Sequence, residues 1–111
     1  MAYDEELAAR IRTLVAAEPG LTEKKMFGGL AFLIGGNLAV AASGQGGLLV
    51  RADPAESARL VAETAARPLE MRGRSMDGWL RVAAGEVAAD ASLRAWVARG
   101  IAFARTLPPK P

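Results

Sequence analysis

The stretch that decides the fold is residues 24–52, KKMFGGLAFLIGGNLAVAASGQGGLLVRA. It contains three apolar runs separated by short glycine-rich breaks, and runs of this length and composition are typical of β-strands. The first break, Gly35-Gly36-Asn37, supplies residues that adopt a positive φ, as a tight hairpin turn requires. The second break, Gly44-Gln45-Gly46-Gly47, predicts another turn. The predicted strands of this antiparallel meander are residues 26–34, 38–43 and 48–52.

The first two predicted strands are apolar at consecutive positions, so both faces of the sheet are expected to be buried. One face should carry the helices, while the other should meet a second layer or a partner chain. We therefore expect either a homodimer or an apolar groove between the sheet and a helix.

Three helices are predicted around the strands. The first shows an apolar stripe at helical spacing and acidic residues in its first turn, where the helix dipole favours negative charge. Asp53-Pro54 is a typical start for the second helix, and Asp90 is predicted to cap the third. The predicted helices are residues 4–18, 54–66 and 91–107.

A second, smaller hairpin is predicted near the middle of the chain. Residues 69–72 and 79–82 alternate apolar and charged side chains, as expected for strands with one buried face. Residues 72–78, RGRSMDG, lie between them and are expected to form a seven-residue loop. In one interpretation Met76 reaches the core from this loop, and in the other the loop serves recognition.

The complete predicted order is α-β(3)-α-β(2)-α, an α+β fold with a mostly antiparallel sheet. Residues 1–111 are expected to form one domain. Residues 108–111, PPKP, are expected to form a flexible tail because prolines cannot continue the last helix. Five aromatic residues are at core-patterned positions: Phe27, Phe32, Trp79, Trp96 and Phe103.

Several kinds of chemistry are excluded, because the 111 residues include no cysteine and no histidine. Disulfides, thiolate or imidazole metal sites and a Ser-His-Asp triad are impossible within this sequence. The glycine-rich segments match no nucleotide-binding loop, and the acidic residues show no spacing that indicates acid–base catalysis. We therefore expect a protein that is not an enzyme and that uses no cofactor and no metal.

Signals for export or membrane insertion are missing from the sequence. The segment MAYDEELAAR is acidic, unlike the start of a secretory signal. The longest apolar run, residues 30–42, is interrupted by glycines and is too short to span a bilayer. We expect a cytoplasmic protein that makes no membrane contact.

The basic residues form the remaining candidate for a functional site. Fourteen basic and twelve acidic residues give a formal net charge of +2, which does not by itself indicate nucleic-acid binding. Arginines nevertheless concentrate around the second hairpin and in the last helix. Two interpretations remain open: they bind phosphate or carboxylate groups of a partner, or they are solvated. The predicted recognition surface comprises Arg72, Arg74, Ser75, Asp77, Lys24 and Lys25.

Residues 25–32, KMFGGLAF, resemble the KMFGG-x-x-F opening of the TfoX (Sxy) N-terminal domain family. The resemblance continues through the Asn37 hairpin and then through further motifs in the same order. These motifs are residues 49–51 (LVR), 71–79 (MRGRSMDGW), 96–97 (WV) and 103–110 (FARTLPPK). The resemblance is to stand-alone members of the family, and it implies a fold similar to that of secretion chaperones.

The same resemblance implies a function. Family members regulate natural competence together with an activator of the cyclic-AMP receptor type at promoters. Full-length members carry a second, helical domain, which we do not expect in a single-domain member of this kind. A small regulatory or protein-interaction module is therefore expected, with a protein partner or a second copy of itself. The alternative is a weak, sequence-tolerant nucleic-acid binder that uses the arginine-rich hairpin and the last helix.

Overall fold

The computed structural model describes residues 3–26 and 28–110, which form an α+β fold with a six-stranded antiparallel sheet. The predicted fold class is therefore confirmed. The α-helices are α1 (Glu5–Val15), α2 (Pro54–Glu63) and α3 (Asp90–Thr106), and a short 3-10 helix covers Ala84–Val87. The strands are β1 (Leu21–Met26), β2 (Gly29–Ile34), β3 (Asn37–Ala42), β4 (Leu48–Arg51), β5 (Arg67–Met71) and β6 (Arg74–Val82). Their order in the sheet is β1-β2-β3-β4-β6-β5.

Strand β1 is an addition to the predicted order. Its sequence, LTEKKM, is exposed at the four central positions, and it shows neither the apolar run nor the alternation that predicts the other strands. It exists because its backbone pairs along its full length with β2. Polar residues, including two lysines, suit this position, since charge on an edge strand discourages pairing with other molecules.

All three helices contribute to one hydrophobic core on one face of the sheet. The centre of that core is a row of residues paired across four strands: Phe32, Val40, Val50 and Leu80. Each of them is at most 1% exposed. Of the other predicted core aromatics, Trp79, Trp96 and Phe103 are half-buried, and Phe27 lies outside the described residues.

The opposite face of the sheet has its own smaller apolar cluster, built only from strand residues in the described part of the chain. Ala31, Leu38 and Ala41 are buried there, and Leu49 and Trp79 pack beside them while half-buried. Both faces of the central strands are therefore apolar, as predicted. We call this second side the helix-free face.

Two helix caps show how far local sequence decided the structure. Asp53 caps α2 as predicted, because its carboxylate accepts a hydrogen bond from the backbone N–H of Ala55 at 2.9 Å. The predicted cap by Asp90 is wrong: Ala89 is the N-cap of α3 and makes no side-chain capping bond. The Asp90 carboxylate instead accepts a hydrogen bond from Arg10 at 2.9 Å, so a tertiary contact takes the place of a local one.

The segment after α3 lies against the β2–β3 hairpin. The Asn37 side-chain amide donates to the carbonyl of Pro108 at 3.0 Å, and the Lys110 N–H donates to the carbonyl of Gly35 at 2.8 Å. Residues 108–110 are thus tethered to the sheet by backbone and side-chain hydrogen bonds. No helix in the part of the chain described is long and apolar enough to cross a bilayer.

Candidate binding surface

The predicted seven-residue loop at 72–78 is not a loop. Met71 pairs with Arg74, so a two-residue turn, Arg72-Gly73, closes the hairpin. The rest of the segment belongs to β6. Because β6 contains more residues than β5, the pairing register of the two strands shifts between Pro68 and Leu69. Met76 is 37% exposed, so the interpretation in which it reaches the core is wrong.

The structure places the predicted recognition residues in two separate regions. Arg72 lies in the turn, and Arg74, Ser75 and Asp77 are exposed along β6. Lys24 and Lys25 are exposed on β1, with three strands between β1 and β6. At about 4.8 Å per strand spacing, β1 and β6 are roughly 19 Å apart. Consecutive residues of a strand also point to opposite faces, so the two lysines do not share a surface.

The turn contains a locally unfavourable residue. Arg72 has a φ of 54° and Gly73 a φ of 79°, and turns with a positive φ at both positions prefer Asn-Gly. We expect Arg72→Asn to raise the free energy of unfolding by about 0.5–1 kcal/mol, because arginine adopts the left-handed conformation at a cost. Thermal unfolding followed by circular dichroism measures the effect. Gly73→Ala is the control and should be destabilising, and a lower melting temperature for Arg72→Asn would contradict this account of the turn.

On the helix side of the molecule, carboxylates pair with five of the six arginines that lie in α-helices, Arg94 being the exception. The Arg12 guanidinium donates to both carboxylate oxygens of Glu23, at 2.7 and 2.9 Å, and these bonds hold the pKa of Glu23 below its usual value. The ion pairs among the described residues are Arg10–Asp90, Arg12–Glu23, Arg59–Glu56, Arg59–Glu63, Arg99–Glu56 and Arg105–Glu18.

On the helix-free face, by contrast, arginines lie beside one another and beside a tryptophan. Arg51 pairs with Trp79, and Arg67 pairs with Arg81, across neighbouring strands. Leu49, a member of the helix-free cluster, lies opposite Arg81 and two residues before Arg51, so all four residues are on that face. We call this surface, consisting of Arg51, Arg67, Trp79 and Arg81, the arginine–tryptophan face. None of its arginines forms an ion pair with any residue that the structure describes.

Contacts with uncharged groups order two of these arginines. The Arg51 guanidinium carbon lies 4.6 Å from the Trp79 ring centroid, within the range of cation–π attraction. Arg51 is the last residue of β4, and its guanidinium carbon is also 5.6 Å from the ring centroid of Phe103 in α3, so it lies at the border between the helix-free face and that helix. Partial burial lowers the pKa of Arg51. Arg81 donates to the side-chain oxygen of Gln45 at 2.6 Å and to the carbonyl of Gly46 at 3.3 Å. Both guanidinium groups are thus positioned, yet neither is neutralised by these contacts.

The sequence pattern places Arg67 and Arg81 near the second hairpin only as part of the concentration of arginines there, and it does not single out Arg51. The signal that was available is the alternation of β4, which puts Leu49 and Arg51 on one face. That signal becomes informative only once β4 is known to pair with β6.

A shallow depression on the helix-free face is lined by Met26, Ala31, Leu38, Ala41 and Leu49 together with glycine and serine at its rim. Its volume of about 30 Å³ is far below the roughly 300–1,000 Å³ of a small-molecule site. It has room for part of one small side chain.

Comparison with known families gives one result. The family described as the TfoX N-terminal domain matches residues 13–104, which is most of the chain. The match begins within α1 and ends near the end of α3, so it includes the entire sheet. No curated protein and no solved structure shows significant similarity to the chain.

Proposed function

Because the chain belongs to the TfoX N-terminal domain family, we propose that it is a small, non-enzymatic regulatory module that acts by binding a protein partner. The observation that carries this proposal is a difference in ion pairing between the two sides of the sheet. Carboxylates pair with five of the six helix arginines, whereas the arginine–tryptophan face keeps three cations without an ion pair to the described residues, beside half-buried apolar side chains. Surfaces of this composition, aromatic and arginine-rich, are enriched at protein–protein interfaces.

The regulatory part of the proposal follows the family. The module would act in the cytoplasm on the expression of competence genes, through a partner that contacts the transcription machinery. The module would supply only a binding surface of defined shape and charge, and the transcription machinery would carry out the catalytic steps. Self-association into a homodimer is the other arrangement in which the module would bind protein.

Gene deletion followed by complementation with the wild-type chain tests this proposal in the cells that produce the protein. We expect a defined set of transcripts to change when the gene is deleted and to return when the wild-type chain is supplied. Crosslinking in the same cells, followed by nuclease treatment, should leave the chain attached to protein. Unchanged transcripts, or a crosslinked species that nuclease destroys completely, would overturn the proposal.

A nucleic-acid binder remains the second candidate, and the β5–β6 hairpin is the observation that favours it. Arg72 and Arg74 are exposed at its tip and make no ion pair with the described residues. The last helix contributes less than expected, because its Arg99 and Arg105 are paired with carboxylates.

Salt dependence separates the two candidates. Phosphate contacts release counterions, so binding to a mixed-sequence DNA duplex would weaken steeply with rising salt and would weaken further in Arg72→Gln/Arg74→Gln. We expect only weak DNA binding, with no loss in this double variant beyond that of a charge-matched variant on the helix side. A steep salt dependence that is reduced by the hairpin substitutions would favour the nucleic-acid function.

A further inference from the structure

The cations of the helix-free face stand at the two ends of one continuous row across the sheet. The registers place Lys24 opposite Ala31, Ala31 opposite Ala41, Ala41 opposite Leu49, and Leu49 opposite Arg81. Arg67 continues the row beyond Arg81 onto the edge strand β5. The row therefore reads cation, three apolar residues, and then two cations. No acidic residue belongs to it.

The end of the row at Arg67 and Arg81 is electrostatically unfavourable as it stands. Like charges directly opposite one another on neighbouring antiparallel strands are destabilising, since their Cβ atoms are only about 4.5–5.5 Å apart. Arg81 donates to the uncharged Gln45 and Gly46 between β3 and β4. These bonds direct its guanidinium away from β5 but leave its charge without a carboxylate partner. Carboxylates of a partner would compensate these two charges and would form charge-assisted hydrogen bonds with the guanidinium groups.

From this arrangement we propose that the helix-free face binds an extended, acidic segment of a partner protein that crosses the strands. Carboxylates of the segment pair with Lys24 at one end and with Arg67 and Arg81 at the other. Apolar side chains between them contact Leu49 and Trp79. The distance from β1 to β6 is roughly 19 Å, which an extended chain spans in about six residues. This inference rests on the proposed function, because it names the partner class and the surface for it.

The same observations argue against other occupants. A second copy of the chain packed on this row about a two-fold axis would bring the cations of one copy against those of the other, and like charges in contact oppose association. Nucleic acid presents phosphates along its whole length, whereas the centre of this row is apolar. Addition of a strand at a sheet edge is disfavoured by the lysines of β1 and by Pro68 on β5.

The test measures binding of a short fluorescein-labelled peptide, with glutamates at both ends and leucines in the centre, to the full chain by fluorescence anisotropy. We expect the face variant, Lys24→Gln/Arg67→Gln/Arg81→Gln, to weaken binding about tenfold or more, since each exposed charge pair contributes modestly and the three losses add. The control variant is Arg59→Gln/Arg94→Gln/Arg99→Gln, which makes the same change in net charge on the helix side. It should alter the affinity by no more than about twofold.

A single substitution, Arg67→Gln, separates loss of binding from loss of folding. Arg67 is exposed, and Arg67→Gln removes the repulsion with Arg81. We expect its melting temperature to be unchanged or raised while peptide affinity falls about two- to fivefold. A residue with only a structural role would not combine these two effects. A lowered melting temperature with unchanged affinity would contradict the proposal.

Three further outcomes would overturn the inference. The first is failure of the wild-type chain to bind the peptide, and the second is equal weakening by the face variant and the helix-side control. The third is tighter binding of a single-stranded DNA of equal charge that is lost in the face variant, which would assign the surface to nucleic acid. If the face variant instead returns all the affected transcripts to wild-type levels in cells that lack the gene, this inference fails while the proposed function stands.

Discussion

Replacement of Phe32 by alanine is expected to lower the free energy of unfolding by about 3–5 kcal/mol. The Phe32 side chain is 1% exposed and lies in the row of core residues that crosses four strands beneath the helices. Alanine would remove most of its apolar contact and leave a cavity between the sheet and the helices. Because small domains are stable by only about 5–15 kcal/mol, the variant should unfold at a much lower denaturant concentration.

The neighbouring residue supplies a matched control. Leu33 follows Phe32 directly in β2 but belongs to the helix-free cluster and is half-buried. Leu33→Ala should therefore cost less, about 1–2 kcal/mol, since part of its surface is already in water. Equilibrium urea unfolding of both variants gives the comparison. Equal losses would show that the two faces of the sheet are buried to the same extent, contrary to the structure.

Replacement of Gly100 by alanine is expected to destabilise the protein by about 1–3 kcal/mol. The result would oppose helix propensity, which favours alanine over glycine by about 1 kcal/mol within a helix. Gly100 lies in α3 where this helix packs directly on β3. An added Cβ would overlap the Ala39 carbonyl oxygen and would lie 2.8 Å from Cγ1 of Val40. The neighbouring backbone cannot move aside without disturbing the central strand.

Gly85 provides the control for this substitution. It lies in the short 3-10 helix, where an added Cβ would meet no atom within 4 Å. Gly85→Ala should be neutral or slightly stabilising, because it restricts the unfolded chain without introducing a clash. Thermal unfolding of both variants distinguishes close packing from propensity. A Gly100→Ala variant as stable as the wild type would mean that α3 does not contact β3 this closely.

Local sequence was sufficient wherever the structure depends on a few neighbouring residues. Gly35 and Gly36 have φ values of 58° and 83°, so the predicted hairpin turn forms where the backbone requires glycine. Asp53 caps α2 for a similar reason, since its hydrogen bond spans only two residues. The starts of the three helices were therefore predicted to within one residue, whereas the predicted ends of α1 and α2 lie three residues too late and the predicted strand 26–34 begins three residues before β2.

Predictions failed where a distant contact decided the outcome. The segment RGRSMDG was expected to be a loop because it contains two glycines, but the structure uses them differently. Gly73 forms the turn, while Gly78 lies within β6 where its N–H donates to the buried Ser57 hydroxyl at 2.6 Å. Strand β1 was missed because its pairing with β2 supplies what its own sequence does not indicate.

The sequence by itself determined the α+β class, the apolar character of both sheet faces, the main turns and the absence of thiol and imidazole chemistry. These properties follow from residue types and short spacings. Only the tertiary structure decided which cations share a surface. It separated Lys24 and Lys25 onto opposite faces, and it placed Arg51 beside Trp79 and Arg67 beside Arg81. The reason is physical: cross-strand neighbours are set by strand order and register, and these depend on backbone pairing between segments that are distant in the chain.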